Sequence, residues 1–122
     1  MWDYRQLRVW HRARRLVVAV YEGTAGYPRD ERFGLITQTR RASISIAANL
    51  AEGTGRRGRR EFARFVDFSI GSTYELECHL LLGMDLGFLP ETPAKGLLQD
   101  VDELKRMLIA LSRSLRGSKR DT

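Results

Sequence analysis

Hydrophobic positions recur every three or four residues in four successive segments of this chain, the spacing that lines one face of an α-helix. No segment alternates with period two. The predicted helices run from Tyr4 to about Ala25, from about Asp30 to Glu52, from about Arg59 to Leu86, and from Thr92 through Leu115. For the fourth helix, Thr92 is the predicted cap and Pro93 the predicted first helical position. The pattern therefore predicts an all-α protein.

Short links between four long helices favour antiparallel neighbours, so the predicted fold is an up-down-up-down four-helix bundle. We expect a single domain over residues 1–116 and a disordered tail over residues 117–122. Gly53 is the predicted left-handed residue that ends the second helix, and Gly58 is the predicted cap of the third. Small residues on the middle two helices, such as Ala42 and Ser72, would let these helices approach closely.

The first and third helices carry more apolar residues than one small core requires. Residues off the main stripes are Val9, Leu16, Val18 and Tyr21 in the first helix and Val66, Ile70, Leu80, Leu81 and Leu82 in the third. A second buried face would follow from self-association, so we expect a homo-oligomer. The alternative is a wider core stripe within one copy.

Basic residues dominate the first half of the chain. The net charge is +6, but residues 1–64 carry 14 arginines against 6 acids, whereas residues 65–122 carry 7 basic and 9 acidic side chains. This asymmetry indicates a polyanionic partner or a membrane surface for the first half. The alternative is that the arginines occupy ordinary solvated positions.

Cysteine content and hydropathy bear on the compartment. The only cysteine is Cys78, so no intrachain disulfide is possible and a reducing, cytoplasmic setting is expected. The charged N-terminal stretch lacks the apolar core of a signal peptide. No apolar run approaches the roughly 20 residues that span a bilayer, so we expect a soluble, intracellular protein, and the predicted partners do not include a membrane.

Candidate catalytic and metal-binding residues are few. Cys78 and His79 are adjacent on a helix, about 100° apart around its axis, so they cannot share a metal or substrate, and we interpret them as a buried Cys beside a core His. Arg5 and His11 fit the loose Arg-spacer-His pattern of some helical ribonucleases, but no second polar partner accompanies them. We therefore expect no catalytic residues, metal or cofactor, and keep a metal-free ribonuclease as the third hypothesis.

Polar residues lie on or beside the predicted core stripes of the second and third helices. The set is Gln38, Arg41, Asn49, Glu52, Ser72 and Glu75, with Ser45 alongside. If the third helix returns antiparallel, Ser72 and Glu75 come level with Arg41. We predict a buried or half-buried network in which Arg41 pairs with Glu75 and fixes the register of the two helices.

Four arginines crowd the link between the second and third helices, in the stretch "NLAEGTGRRGRREF". Arg56 and Arg57 follow a helix C-terminus, where positive charge is favourable, whereas Arg59 and Arg60 fall in the next helix's first turn, where it opposes the dipole. Stability alone would not favour this cluster, so we predict a phosphate-binding surface, extended by Arg64. No aromatic residue is interleaved among the arginines, which favours phosphate contacts over base stacking.

The blocks "NLAEG" and "GSTYELE" are the most specific parts of a family resemblance that covers about two thirds of the chain, from "QLRVWHRA" through the third helix. The chain resembles the four-helix-bundle proteins encoded in intervening sequences of bacterial 23S ribosomal RNA genes. The resemblance implies a ring-like homo-oligomer, often a pentamer, without established enzyme activity. A similar bundle is the accessory protein of diversity-generating retroelements, which raises the expectation of nucleic-acid binding by analogy only.

The first functional hypothesis is an oligomeric bundle that binds structured RNA, or another nucleic acid, through Arg56, Arg57, Arg59, Arg60 and Arg64. Repetition of these arginines around an assembly would add avidity. The alternative is a protein-interaction scaffold whose basic surface meets an acidic partner, such as a reverse transcriptase or another polymerase.

Overall fold

Four α-helices form the protein in a computed structural model that describes residues 2–117. They are α1 (Arg8–Thr24), α2 (Leu35–Thr54), α3 (Gly58–Asp85) and α4 (Glu91–Arg116), with short 3-10 turns at Tyr4–Gln6 and Arg29–Glu31. The described residues contain no β-strand. The predicted all-α fold with four helices is confirmed. Residues 118–122, which hold most of the predicted tail, lie outside the described residues.

Each helix contacts the next one along the chain, and α4 also contacts α1. As residue numbers rise along one helix, the residues that they contact on the neighbouring helix fall in number. On α2 and α3, Ser45 faces Ser72 and Gly53 faces Phe65. Arg59, at the start of α3, reaches Leu115 at the end of α4. These pairs place the end of α2 beside the start of α3, and the start of α3 beside the end of α4.

The core lies between the four helices and is made mainly of aliphatic residues, with Phe62 and Tyr27 as its aromatic members. Its largest fully buried side chains include Phe62, Ile46, Leu50, Leu76, Leu80, Leu104, Leu108, Val20, Val66 and Val101. In α1 the buried stripe is Val9, Ala13, Leu16, Val20 and Thr24, so the prediction that Val9 and Leu16 lie off the main stripe is wrong. Trp10 and Val17 lie at the edge of the core instead. Among residues 2–117, no helix has both the length and the hydropathy needed to cross a bilayer.

The first two helices begin later than predicted, because local hydrogen bonds hold a different turn ahead of each. Asp3 caps the 3-10 turn Tyr4–Gln6 by accepting from the Arg5 backbone N–H at 3.0 Å, and Leu7 is extended before α1 begins. At α2, Gly34 interrupts the helical backbone, and a Glu31 carboxylate oxygen accepts from the Leu35 N–H at 3.2 Å.

Two glycines at the α2–α3 link have different roles from those predicted. Gly53 is a buried helical residue of α2, and a Cβ there would lie 2.8 Å from the Phe65 Cβ, so it permits close approach of α2 and α3. Gly58 is the first residue of α3 and has φ of +78°, a conformation that favours glycine. The N-cap of α3 is Arg57, whose side chain makes no capping hydrogen bond.

The fourth helix begins at Glu91, with Pro90 at its N-cap, rather than at a Thr92 cap. Pro93 is consequently the third helical residue. It still lies in the first turn, where a missing N–H removes no intrahelical hydrogen bond. Gly117 closes α4 in a left-handed conformation with φ of +64°.

Candidate nucleic-acid interface

Folding separates charge along the bundle. The half formed by residues 2–16, 45–71 and 104–117, here called the basic end, carries 14 basic and 4 acidic side chains. The opposite half, residues 17–44 and 72–103, carries 5 basic and 10 acidic side chains. The basic end contains the α2–α3 link, the start of α1 and the end of α4. Three separate parts of the sequence therefore contribute to one positive surface.

Arg57 and Arg60 are exposed, and neither has an ion-pair partner within residues 2–117. Arg57 lies in the link between α2 and α3, and Arg60 lies in the first turn of α3. Their guanidinium groups therefore keep their hydrogen-bonding capacity for a partner in solution.

Arg59 binds the end of another helix. Its Nε donates to the Leu115 carbonyl at 3.2 Å and its Nη2 donates to the Ser114 carbonyl at 2.9 Å. These carbonyls lie in the last turn of α4, where positive charge is favourable. Arg59 does lie in the first turn of α3, as predicted, and its contact with the C-terminus of α4 offsets the unfavourable interaction with the α3 dipole.

Arg56 and Arg64 are each held between a carboxylate and an aromatic ring. Arg56 pairs with Glu52, four residues earlier, and its guanidinium carbon lies 4.8 Å from the centre of the Phe65 ring. Arg64 donates to both carboxylate oxygens of Glu61, each at 3.2 Å, and lies 5.2 Å from the Phe65 ring centre. Both arginines are exposed, and each contacts one carboxylate and one ring.

Arg64 also lies 5.2 Å from the centre of the Phe68 ring. The rings of Phe65 and Phe68 meet edge to face, with centres 5.3 Å apart. In the folded chain the arginine cluster therefore has aromatic neighbours, although none is interleaved among residues 56–60 in the sequence. The sequence does indicate the contact of Arg64 with Phe68, since side chains four residues apart are neighbours on a helix.

A depression next to the α2–α3 link is lined by Arg59, Arg60, Leu115 and Arg116. Arg116 pairs with Asp67 at 2.6 Å, and its Nε lies 3.4 Å from the Ser112 hydroxyl. The sequence pattern does not indicate a role for Arg116, because it is distant in the chain from the other arginines. Three guanidinium groups around one concavity make a favourable position for an anionic group.

The predicted Arg41–Glu75 ion pair does not form. Arg41 and Glu75 are both exposed and line one polar depression with Gln38 and Ser45, but within residues 2–117 no carboxylate lies within 4.0 Å of Arg41. The Glu75 carboxylate instead lies 3.3 Å from Nε2 of His79.

Small polar side chains link α2 and α3 at this seam. Ser72 donates to the Ser45 hydroxyl at 2.9 Å, and the Asn49 amide donates to the same hydroxyl at 3.0 Å. Ser69 donates to the Ile46 carbonyl at 2.8 Å. Glu52 is exposed and belongs to the arginine surface through its pair with Arg56. Uncharged hydrogen bonds thus make the contacts that the predicted ion pair was expected to make.

The remaining candidate chemical groups are dispersed. Cys78 is exposed, so its interpretation as a buried residue is wrong, and His79 is half-buried. His11 Nε2 lies 2.8 Å from the Arg5 carbonyl, and the Arg5 guanidinium pairs with Asp3 at 3.1 Å. The side-chain hydrogen bond from Arg5, followed by its backbone hydrogen bond, lowers the pKa of Asp3. Among residues 2–117, no cluster of three His, Cys, Asp or Glu side chains could hold a metal ion.

Taken together, the fold and this surface define a four-helix-bundle protein with an arginine-rich end. The family model of the 23S rRNA-intervening sequence protein matches residues 5–110, and the chain belongs to that family. A comparison with curated proteins gives no match.

Proposed function

We propose that this protein binds RNA through its basic end, without catalysis. The observation that carries the proposal is the exposure of Arg57 and Arg60 without ion-pair partners among the described residues, beside the depression lined by Arg59 and Arg116. Phosphate groups suit exposed guanidinium groups because they accept charge-assisted, bidentate hydrogen bonds. The family name refers to 23S rRNA, which supports RNA as the polyanion.

In this proposal the five arginines have different roles. Arg57 and Arg60 supply the phosphate contacts that cost no existing interaction. Arg56 and Arg64 are paired with Glu52 and Glu61, so a phosphate that binds them competes with these carboxylates. Arg59 mainly joins α3 to α4 by donating to the Ser114 carbonyl, and so stabilises the helix ends that carry the surface.

Self-association forms the second part of the proposal. An apolar groove between α1 and α2 is lined by Trp10, Val17, Val18, Ile44, Ala47 and Ala48 together with Tyr4, Arg14 and Ala51. Val18 and Ile44 are 56% and 42% exposed, and other large exposed hydrophobic residues lie on α3, including Tyr74, Leu81 and Leu82. Burying these faces between copies would give a homo-oligomer, with a pentamer expected from the resemblance described above. Copies of the basic end would then bind one RNA with avidity.

RNA binding would take place in the cytoplasm, the compartment expected from a single free cysteine. It involves no metal and no cofactor.

The test compares binding of a labelled structured RNA, and of duplex DNA of equal length, across a salt series. The variant Arg57→Glu, Arg60→Glu reverses the two unpaired charges, and Arg29→Glu, Arg32→Glu makes the same charge change at the opposite end of the bundle. We expect the first variant to lose at least about tenfold in RNA affinity and to flatten the salt dependence by about two released ions. The control variant should retain most of both.

Equal losses in the two double variants would show that net charge, rather than the basic end, attracts RNA. If the wild-type protein binds neither nucleic acid at about 0.1 M salt, the proposal is wrong, and a scaffold for an acidic protein partner becomes the leading hypothesis. Light scattering on each variant checks that its oligomeric mass is unchanged.

A further inference from the structure

An exposed aromatic ring continues the arginine surface along α3. Arg60, Arg64 and Phe68 follow one another at intervals of four residues, so they lie on the same side of the helix, about 6 Å apart along its axis. All three are exposed. Within this row, Phe68 lies farthest from the α2–α3 link and nearest to the middle of the bundle.

The position of Phe68 is not explained by the core. Phe62 and Phe65 on the same helix are buried, whereas Phe68 remains 44% exposed. Its contact with the Arg64 guanidinium contributes at most about 1 kcal/mol at an exposed site, and burial of the ring would contribute more. A large apolar ring left in water beside positive charge is characteristic of surfaces that stack bases.

The surroundings of Phe68 leave it accessible and fix its orientation. Phe65 supports it edge to face, and Glu61 holds the Arg64 guanidinium beside it. Gly71, three residues further along α3, is exposed, and a Cβ at this position would meet no atom within 4 Å. Because Phe68 is 44% exposed, part of its ring is open to a flat partner.

We infer that Phe68 is a stacking platform for an unpaired base of the RNA whose phosphates contact Arg60 and Arg64. This inference rests on the proposed function and makes its ligand more specific: the RNA contains a single-stranded segment, such as a hairpin loop, next to the phosphates. A base inside a duplex is unavailable to the ring, because both of its faces are already stacked. Double-stranded RNA therefore uses only the arginines.

The test uses a hairpin RNA that carries 2-aminopurine in its loop and a blunt RNA duplex with the same stem sequence. Phe68→Ala removes the ring, and Phe68→Tyr keeps it. The matched control is Phe33→Ala, because Phe33 is also an exposed phenylalanine below an arginine, with Arg32 5.0 Å from its ring centre, but lies at the opposite end of the bundle.

We expect Phe68→Ala to weaken hairpin binding about 5-fold to 150-fold, the range measured for loss of one stacked base. Duplex binding and the salt dependence of both RNAs should stay unchanged, because no phosphate contact is removed. Wild-type protein should quench the 2-aminopurine fluorescence, Phe68→Tyr should restore both quenching and affinity, and Phe33→Ala should match wild type.

Three results overturn the inference. Equal affinities of wild type and Phe68→Ala for the hairpin exclude stacking while leaving the arginine surface intact. Equal weakening of hairpin and duplex, accompanied by a smaller mass in light scattering, places Phe68 at a contact between copies of the chain. Failure of wild type to bind either RNA removes the inference together with the proposed function.

Discussion

Arg59 in the first turn of α3 donates a 2.9 Å hydrogen bond to the Ser114 carbonyl in the last turn of α4. Arg40, in the second turn of α2, makes a similar contact with the end of α1, donating to the Thr24 hydroxyl at 2.9 Å and to the Tyr21 carbonyl at 3.3 Å. In both cases an arginine near the start of one helix stabilises the negative end of its neighbour. Some arginines that look surplus in the sequence therefore have structural partners.

Substitution of Arg59 should separate this structural role from binding. We expect Arg59→Ala to lower the free energy of unfolding by about 1 kcal/mol, because one part-buried and one exposed hydrogen bond to helix-end carbonyls are lost. Arg60→Ala, one position further on, should change it by less than about 0.5 kcal/mol. Urea unfolding followed by circular dichroism measures both values. Equal stabilities of the two variants would mean that the α4 contact contributes nothing in solution.

Glycines in α2 and α4 should respond in opposite directions to alanine. Gly53→Ala would force its Cβ against the Phe65 Cβ and separate two packed helices, so we expect a loss of about 1 to 3 kcal/mol. Gly96→Ala meets no atom within 4 Å and should raise stability by about 0.5 to 1 kcal/mol through helix propensity. Thermal unfolding of the two variants beside wild type checks the prediction. A stabilising Gly53→Ala would show that α2 and α3 are not so closely packed.

The hydroxyl of Tyr27 is buried without a hydrogen-bond partner among the described residues and lies against Gly83. Tyr27→Phe removes this unsatisfied group and keeps the ring, so we expect a gain of about 1 kcal/mol. If the variant is instead less stable, the hydroxyl has a partner such as a bound water.

Burial also raises the pKa of Tyr27, because it disfavours the phenolate. Because the pKa of Tyr27 is higher in the folded state than in the unfolded state, its protonation stabilises the folded protein. This stabilisation is complete below the unfolded pKa of about 10 and is lost as pH rises through the folded pKa. The advantage of Tyr27→Phe over wild type should therefore grow above about pH 10. Melting temperatures of both proteins at mildly and strongly alkaline pH measure this difference, and a constant difference would contradict it.

Two double-mutant cycles should distinguish the predicted from the observed link between α2 and α3. Arg41→Ala and Glu75→Ala should be additive within about 0.5 kcal/mol, since no ion pair joins these side chains. Ser45→Ala and Ser72→Ala share a 2.9 Å hydrogen bond and should show coupling of about 0.5 to 1 kcal/mol. Coupling of Arg41 with Glu75 but not of the serines would support the predicted network instead.

Local periodicity determined the helices of this protein. The long three-four pattern of α3 predicted its bounds to within one residue, because an amphipathic helix must repeat its apolar face in sequence. Helix starts were less well predicted. Side chains such as Asp3 and Glu31 compete for backbone N–H groups through hydrogen bonds that periodicity does not encode.

The sequence by itself determined the number and type of elements, the four-helix class and the excess of positive charge. Only the tertiary structure decided which arginines bind other parts of the chain and which have no partner within it. Arg59 is held by α4, 55 residues away in the chain, whereas Arg57 and Arg60 remain unpaired within residues 2–117. It also brought Arg116 to the same surface and placed Phe68 beside Arg64. Helix formation depends on neighbours three and four residues apart, but a charged surface depends on which helix ends meet, and that is decided when the apolar faces pack together.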